Sequence, residues 1–301
     1  TVRAAFAFAQ AGYGTPVLIG RTERIQEIVQ QLGLPRDFAE IMNAGIANHR
    51  ERYTEFLYNR LQRQGQLYRD CVRMVNQNRN VFAACMVGVG EADAMVTGLT
   101  RNFSRTYEDL LRALDAKPGW RPFGLSIVVA RRRSLFIADT LVHEVPTPEE
   151  LADIAVQAAA QARALGHEPR VALLSYSNFG DPQRERAMRV REAIKLLDRR
   201  RVDFEYDGEM QAQVALNYER MRGLYPFSRL SGRANVLVMP ALHSASIVSN
   251  VISELGAGTV IGPLLIGLSK PAQLVPLGAT AQEIVTAAAL AAHDSIAEQL
   301  F

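Results

Sequence analysis

The chain has 301 residues, of which 48% are hydrophobic and 22% charged, with a formal net charge of +3. This is enough apolar material for two lobes, since single cores stop growing at about 250–300 residues, and so mild a positive charge gives no reason to invoke nucleic acid. The most apolar stretch, 234–247, is interrupted by Pro240 and His243, so neither a membrane span nor a signal peptide is expected.

In chain order, residues 2–10 read as a helix broken by Gly12 and Gly14, and Pro16 to Gly20 as a short buried strand. Residues 21–32 return to helical spacing, with Ile25, Ile28, Val29 and Leu32 on one face. Residues 51–76 read as one long charged helix and 81–87 as a small apolar one, followed by a strand at 94–98. Leu110, Leu111 and Leu114 mark the next helix, which stops at Lys117-Pro118-Gly119. Two β-rich runs, 124–130 and 134–139, pair as a hairpin across Arg131-Arg132-Arg133. Thr147-Pro148-Glu149-Glu150 supplies an N-cap, a proline at the first helical position and two acids, and opens a helix running to about Leu165. Strands at 171–175, 202–206, 235–239 and 259–261 alternate with helices at 184–197 and 244–255, and an alanine-rich helix, 280–300, closes the chain. Strands joined by helices predict mainly parallel pairing in an α/β/α sandwich. Ligands then belong beyond the carboxyl ends of the strands, here after Ser175, Tyr206, Met239 and Ile261.

Two strand-to-helix loops carry small polar residues. Ser175-Tyr176-Ser177-Asn178-Phe179-Gly180 offers hydroxyls, an amide and backbone N–H groups, which suit an anion or simply cap the next helix. In Pro240-Ala241-Leu242-His243-Ser244-Ala245-Ser246, His243 or Ser244 serves as a cap, a ligand contact or both. Gly256-Ala257-Gly258 and the glycines at 262 and 267 are either turns or places where a ligand approaches backbone. Gly88-Val89-Gly90 lacks the third glycine and the preceding strand of a dinucleotide loop. His143-Glu144 has no spaced second histidine, and no metal-binding motif is present. The basic runs 131–133 and 199–201 read as solvated turns or helix ends, with contact to an anionic ligand as the alternative. Cys71 and Cys85 sit in helical apolar surroundings and read as buried thiols in a reducing cytoplasm.

The order of elements, together with Tyr13 to Gly20, Ala92 to Gly98, Pro146 to Ala152, Gly232 to Val238 and Ile261 to Pro271, resembles phosphate acetyltransferases over the whole chain. Gly98 to Ser104 and Asp139-Thr140-Leu141-Val142-His143 are more similar to the version fused to the C-terminus of large bacterial NADP-dependent malic enzymes. The resemblance implies two three-layer α/β/α lobes, phosphotransacetylase-like, with a ligand cleft between them. One lobe would take 1–119 plus 266–301 and the other 120–265, as the C-terminal part of a longer polypeptide that begins before Thr1.

Where the acetyltransferases carry a serine and an arginine that serve catalysis, this chain has Pro276 and Leu277. Glu283 falls where a catalytic aspartate is expected, and Glu108 at an arginine that meets phosphate; a second such arginine falls on Leu61, flanked by Arg60 and Arg63. In the loop after Pro240, Ala241, His243 and Ser246 replace an acid and two amides. The resemblance therefore implies no catalytic residue and no metal in this segment. It implies instead acetyl-CoA as an allosteric effector, touched by Ser177, Asn178, Arg233, Asn235, His243, Ser244, Gly262 and Lys270. NADP and a divalent metal would belong to N-terminal malic-enzyme domains, with which this segment would form a cytoplasmic homo-oligomer, at least a dimer. An active phosphate acetyltransferase and a structural oligomerisation module are the alternatives.

Overall fold

The computed structural model describes residues 1–44, 49–181 and 184–299. The chain leaves its first compact unit after Lys117 and re-enters it at Leu268; the second unit is Pro118–Gly267.

The first unit begins with α1 (Val2–Gln10), β1 (Val17–Ile19), α2 (Thr22–Gln31) and β2 (Glu40–Met42). The strands β1 and β2 pair in parallel. Then come α3 (Arg50–Leu61), α4 (Tyr68–Gln77), α5 (Arg79–Gly88), β3 (Met95–Thr97) and α6 (Phe103–Leu111). The single helix expected over 51–76 is thus two. The chain tightens into a 3-10 turn at Gln62–Gln64, and Gly65 takes a left-handed φ of 81°, a conformation that ends helices. It restarts where Asp70 accepts the backbone N–H of Leu67 at 3.3 Å. The break lets Tyr53, Leu57 and Leu61 of α3, Cys71 and Val75 of α4, and Phe82 and Cys85 of α5 all be buried. Both cysteines are free, and burial pushes the Cys85 thiol up to about 12.

The second unit contains β4 (Phe123–Ala130), β5 (Arg133–Ala138), α7 (Pro148–Ala164), β6 (Arg170–Leu174), α8 (Glu185–Arg200) and β7 (Glu205–Met210). It continues through α9 (Ala212–Ala215), α10 (Tyr218–Leu224), β8 (Val236–Val238), α11 (Leu242–Glu254) and β9 (Thr259–Ile266). Its six-stranded sheet has the order β7-β6-β8-β5-β4-β9. The first four strands run parallel, and β4 is antiparallel to both β5 and β9. The hairpin turn is Arg131-Arg132, both with positive φ and both exposed, as a two-residue turn matched to strand twist requires.

The pleat divides the sheet's side chains between two helical layers. Ile137, Ala172 and Leu237 pack with Val214 and Ala215 of α9 and Ala245 of α11. Their fully buried neighbours Phe136, Val171, Leu173 and Val236 point to the other face, and α7 packs against β5, β6 and β8. The strand expected at 202–206 lies instead at Glu205–Met210, because α8 runs on to Arg200 and turns through a left-handed Arg201. The strand expected at 259–261 extends to Ile266 along β4.

Back in the first unit, β10 (Ala272–Leu274) pairs in parallel with β3, and α12 (Ala281–Gln299) packs on α1. Ala4, Val275, Ile284 and Ala287 close that core. The whole is an α/β fold with mainly parallel sheets.

Candidate functional site

In the second unit, the carboxyl ends of β6, β7, β8 and β5 deliver four segments to one edge of the sheet. These are the loop from Ser175, the residues after Met210, the start of α11, and Asp139 to His143. This edge is where an open α/β sheet binds its ligands.

The Ser175 loop is tied to the end of β7 by a buried carboxylate. Glu209 is fully buried and accepts hydrogen bonds from Ser177 Oγ at 3.2 Å, Gly180 N at 2.9 Å and Arg191 Nε at 2.8 Å. The Ser177 hydroxyl also lies 3.0 Å from Ser175 Oγ and is wholly inside. Asn178 Oδ1 accepts the backbone N–H of Gln211 at 2.9 Å. The side chains of Ser177 and Asn178 are therefore engaged with the end of β7 and the residue after it, and Tyr176, half exposed, is what the loop presents outward. Glu209 and Arg191 did not stand out in the sequence. The strand Glu205–Met210 carries three acids, so nothing in the sequence singled out Glu209.

At the start of α11 the N-cap residue is Ala241, which has no side-chain acceptor. Ser244 Oγ donates to the Ala241 carbonyl at 2.7 Å, and His243 is exposed. Leu242 N donates to the Glu144 carbonyl at 3.2 Å, which lays the segment after β5 against this first turn.

That segment is organised by Asp139, which is buried. Its Oδ1 accepts from Gly124 N and Leu141 N, each at 2.7 Å, and from Val142 N at 3.1 Å. Its Oδ2 takes His143 N at 2.8 Å, with His143 Nδ1 at 2.6 Å. Burial alone would raise the Asp139 pKa, but the hydrogen bonds from the His143 ring and from the backbone of Leu141, His143 and Gly124 outweigh it and hold the carboxyl below its ordinary value. Gly124 is required here: a Cβ on it would lie 2.5 Å from both N and Cβ of Leu141.

Asn235 and Arg233 precede β8 and so lie at the opposite, amino edge. Asn235 Oδ1 accepts Arg170 N at 2.7 Å and its Nδ2 donates to the Glu168 carbonyl at 2.8 Å, which stitches β8 to the start of β6. Arg233 lines a cavity of about 570 Å³ with Arg170, Asn217, Tyr218 and Glu219. The structure does not bring these two residues to Ser177, Asn178, His243 and Ser244. Gly262 lies inside β9 at φ 109°, and a Cβ there would sit 2.9 Å from the Leu125 carbonyl oxygen. Its glycine is explained by the packing of β9 on β4.

In the first unit, Lys270 is exposed and makes no ion pair among the described residues. Pro276 and Leu277 form an exposed turn after β10, closed by Ala279 N donating to the Pro276 carbonyl at 3.2 Å. Glu283 Oε2 accepts both the N–H and the hydroxyl of Thr280 at 2.7 Å, while Thr280 Oγ1 accepts Glu283 N at 3.2 Å. It is the capping box of α12. Glu108 is exposed on α6, 3.4 Å from Arg105 Nη1. Arg60 is engaged by both oxygens of Asp115, at 2.8 and 2.6 Å. No group of metal-ligating side chains and no helix long and apolar enough to cross a membrane occurs among the described residues.

The family model for phosphate acetyl/butaryl transferase matches residues 1–292. The chain is 54% identical over 296 residues to an NADP-dependent malic enzyme of Rhizobium meliloti, covering 98% of this chain and 39% of that protein. It is 33% identical to a phosphate acetyltransferase of Treponema pallidum, covering 91% of this chain and 84% of that one. A phosphotransacetylase structure from Streptococcus pyogenes superposes with a TM-score of 0.92 at 29% identity, covering 98% of this chain and 90% of that one. The chain thus spans about two fifths of the malic enzymes it matches, and 84% of the Treponema acetyltransferase.

Proposed function

Because the chain belongs to the phosphate acetyl/butaryl transferase family, we propose that it binds acetyl-CoA as an effector and does not transfer the acetyl group. In this reading it is the regulatory domain of a cytoplasmic NADP-dependent malic enzyme, which oxidises and decarboxylates malate to pyruvate with NADP and a divalent metal held outside these residues. Acetyl-CoA inhibits that reaction by favouring one of two domain or subunit arrangements, within an oligomer that is at least a dimer.

The observation that carries the reading is the turn at Pro276-Leu277. Acyl transfer to phosphate needs positive charge and hydrogen-bond donors around an anionic nucleophile and a developing oxyanion. A proline and a leucine supply neither, Glu283 is engaged in a helix cap, and Glu108, exposed beside Arg105, supplies no positive charge. Holding CoA asks less: apolar surface for the pantetheine arm and cations for the phosphates. Lys270, exposed and unpaired among the described residues, suits the second task.

Isothermal titration with acetyl-CoA, compared with free CoA, tests the proposal. Saturable binding that favours the acetyl form is expected, with no thiol released when phosphate is added. Lys270→Ala should weaken binding about tenfold. Thiol release on adding phosphate would instead establish a working acyltransferase, the reading favoured by likeness to the Treponema protein. No heat at millimolar acetyl-CoA would leave an oligomerisation module.

A further inference from the structure

The carboxyl edge of the sheet carries a histidine–carboxylate pair outside the contacts expected for the ligand. Asp139 Oδ2 and His143 Nδ1 are 2.6 Å apart, and the carboxylate side chain is only 2% exposed. An ionised carboxylate only accepts, so Nδ1 carries the proton and donates it. In the neutral ring that leaves the lone pair on Nε2, the arrangement by which a carboxylate fixes an imidazole tautomer. The His143 side chain keeps 14% exposure, and Nε2 has no hydrogen-bond partner among the described residues. The turn does not need the ring: four backbone N–H groups, of Gly124, Leu141, Val142 and His143, already satisfy the carboxylate. The next residue, Glu144, accepts the N–H of Leu242 at the start of α11, so His143 stands among the loops at the ligand edge.

We propose that His143 is a ligand-contacting residue whose Nε2 accepts a hydrogen bond from an N–H or O–H group of bound acyl-CoA, with Asp139 as its positioning residue. The inference rests on the acyl-CoA reading above. Coenzyme A offers such donors in its amides, its hydroxyls and its adenine amino group. A neutral acceptor fits these groups without drawing in a competing anion.

The test uses the full chain with its histidine rings labelled with nitrogen-15. Without ligand, Nδ1 of His143 should be the protonated nitrogen, and saturating acetyl-CoA should shift the Nε2 resonance. His143→Phe should weaken acetyl-CoA binding about three- to tenfold, and His143→Gln, whose amide oxygen can accept, should recover most of that loss. Binding with an unmoved Nε2 resonance, or a phenylalanine variant that binds as tightly as the unaltered chain, would overturn this inference alone. Failure of the unaltered chain to bind acetyl-CoA would overturn the regulatory reading with it. Asp139→Asn should free the ring to change tautomer; an unchanged tautomer in a folded variant would remove Asp139 from its positioning role.

Discussion

Asp139 shows how one side chain organises a loop and how its protonation couples to stability. Its folded pKa is depressed by the hydrogen bonds it accepts, against an ordinary aspartate value of about 3.9. The sign follows directly: its contribution is complete above the unfolded value and is lost as pH falls through the lower, folded one. Asp139→Asn, which leaves some of those donors poorly paired, should cost about 2 kcal/mol at neutral pH. Urea unfolding of both proteins should show the gap narrowing below about pH 4; a gap constant with pH would contradict the assignment. Glu209 was not legible as a hub, because its donors Ser177, Gly180 and Arg191 come from separate parts of the chain; the donors to Asp139 are mostly its own next four residues, gathered by a turn that closes on Gly124. His143 was visible as a single histidine without a second ligand at metal spacing and as the end of the run Asp139 to His143 that carried the resemblance, not as a partner of Asp139. Its relation to Asp139 exists because a tight turn, allowed by Gly124, folds the chain back over four residues.

Elements specified by local chemistry were the legible ones. Thr147-Pro148-Glu149-Glu150 was read as a helix start. The structure has Thr147 Oγ1 accepting Glu150 N at 3.2 Å and Glu150 Oε2 accepting Thr147 N at 2.8 Å. Thr147→Ala should lower stability by about 1 kcal/mol, and Thr147→Ser should keep most of it; equal losses in thermal denaturation would mean that the methyl, not the hydroxyl, matters. The hairpin across Arg131 to Arg133 was legible for the same reason. The three-residue strands β2 and β10 were not. Each is too short for an alternating pattern and is a strand only because β1 or β3 supplies hydrogen bonds. The strand after α8 was misplaced because Val202 carries strand propensity, whereas α8's extra turn and the left-handed Arg201 decide where pairing can begin.

At the scale of the molecule, the two units differ in how they are encoded. Pro118–Gly267 is continuous and contains all six strands of its sheet. Residues 118–267 produced alone should therefore unfold in one cooperative transition. Residues 1–117 alone should not, since β3 would lack β10 and α1 would lack α12. Circular dichroism melts of the two fragments test this, and a folded 1–117 would show that its helices suffice. The sequence by itself determined the α/β class, the helix start at Thr147, the hairpin and the absence of a hydroxyl and a charge at 276 and 277. Each is a property of residue type or of neighbours in the chain. Only the tertiary structure decided that Asn235 and Arg233 face the opposite edge from His243, that Ser177 is sealed beneath Glu209, and that His143 is oriented by Asp139. The first two depend on strand direction and on contacts between residues distant in sequence, which no local pattern encodes; the third joins residues only four apart, through a turn that the distant Gly124 leaves room for.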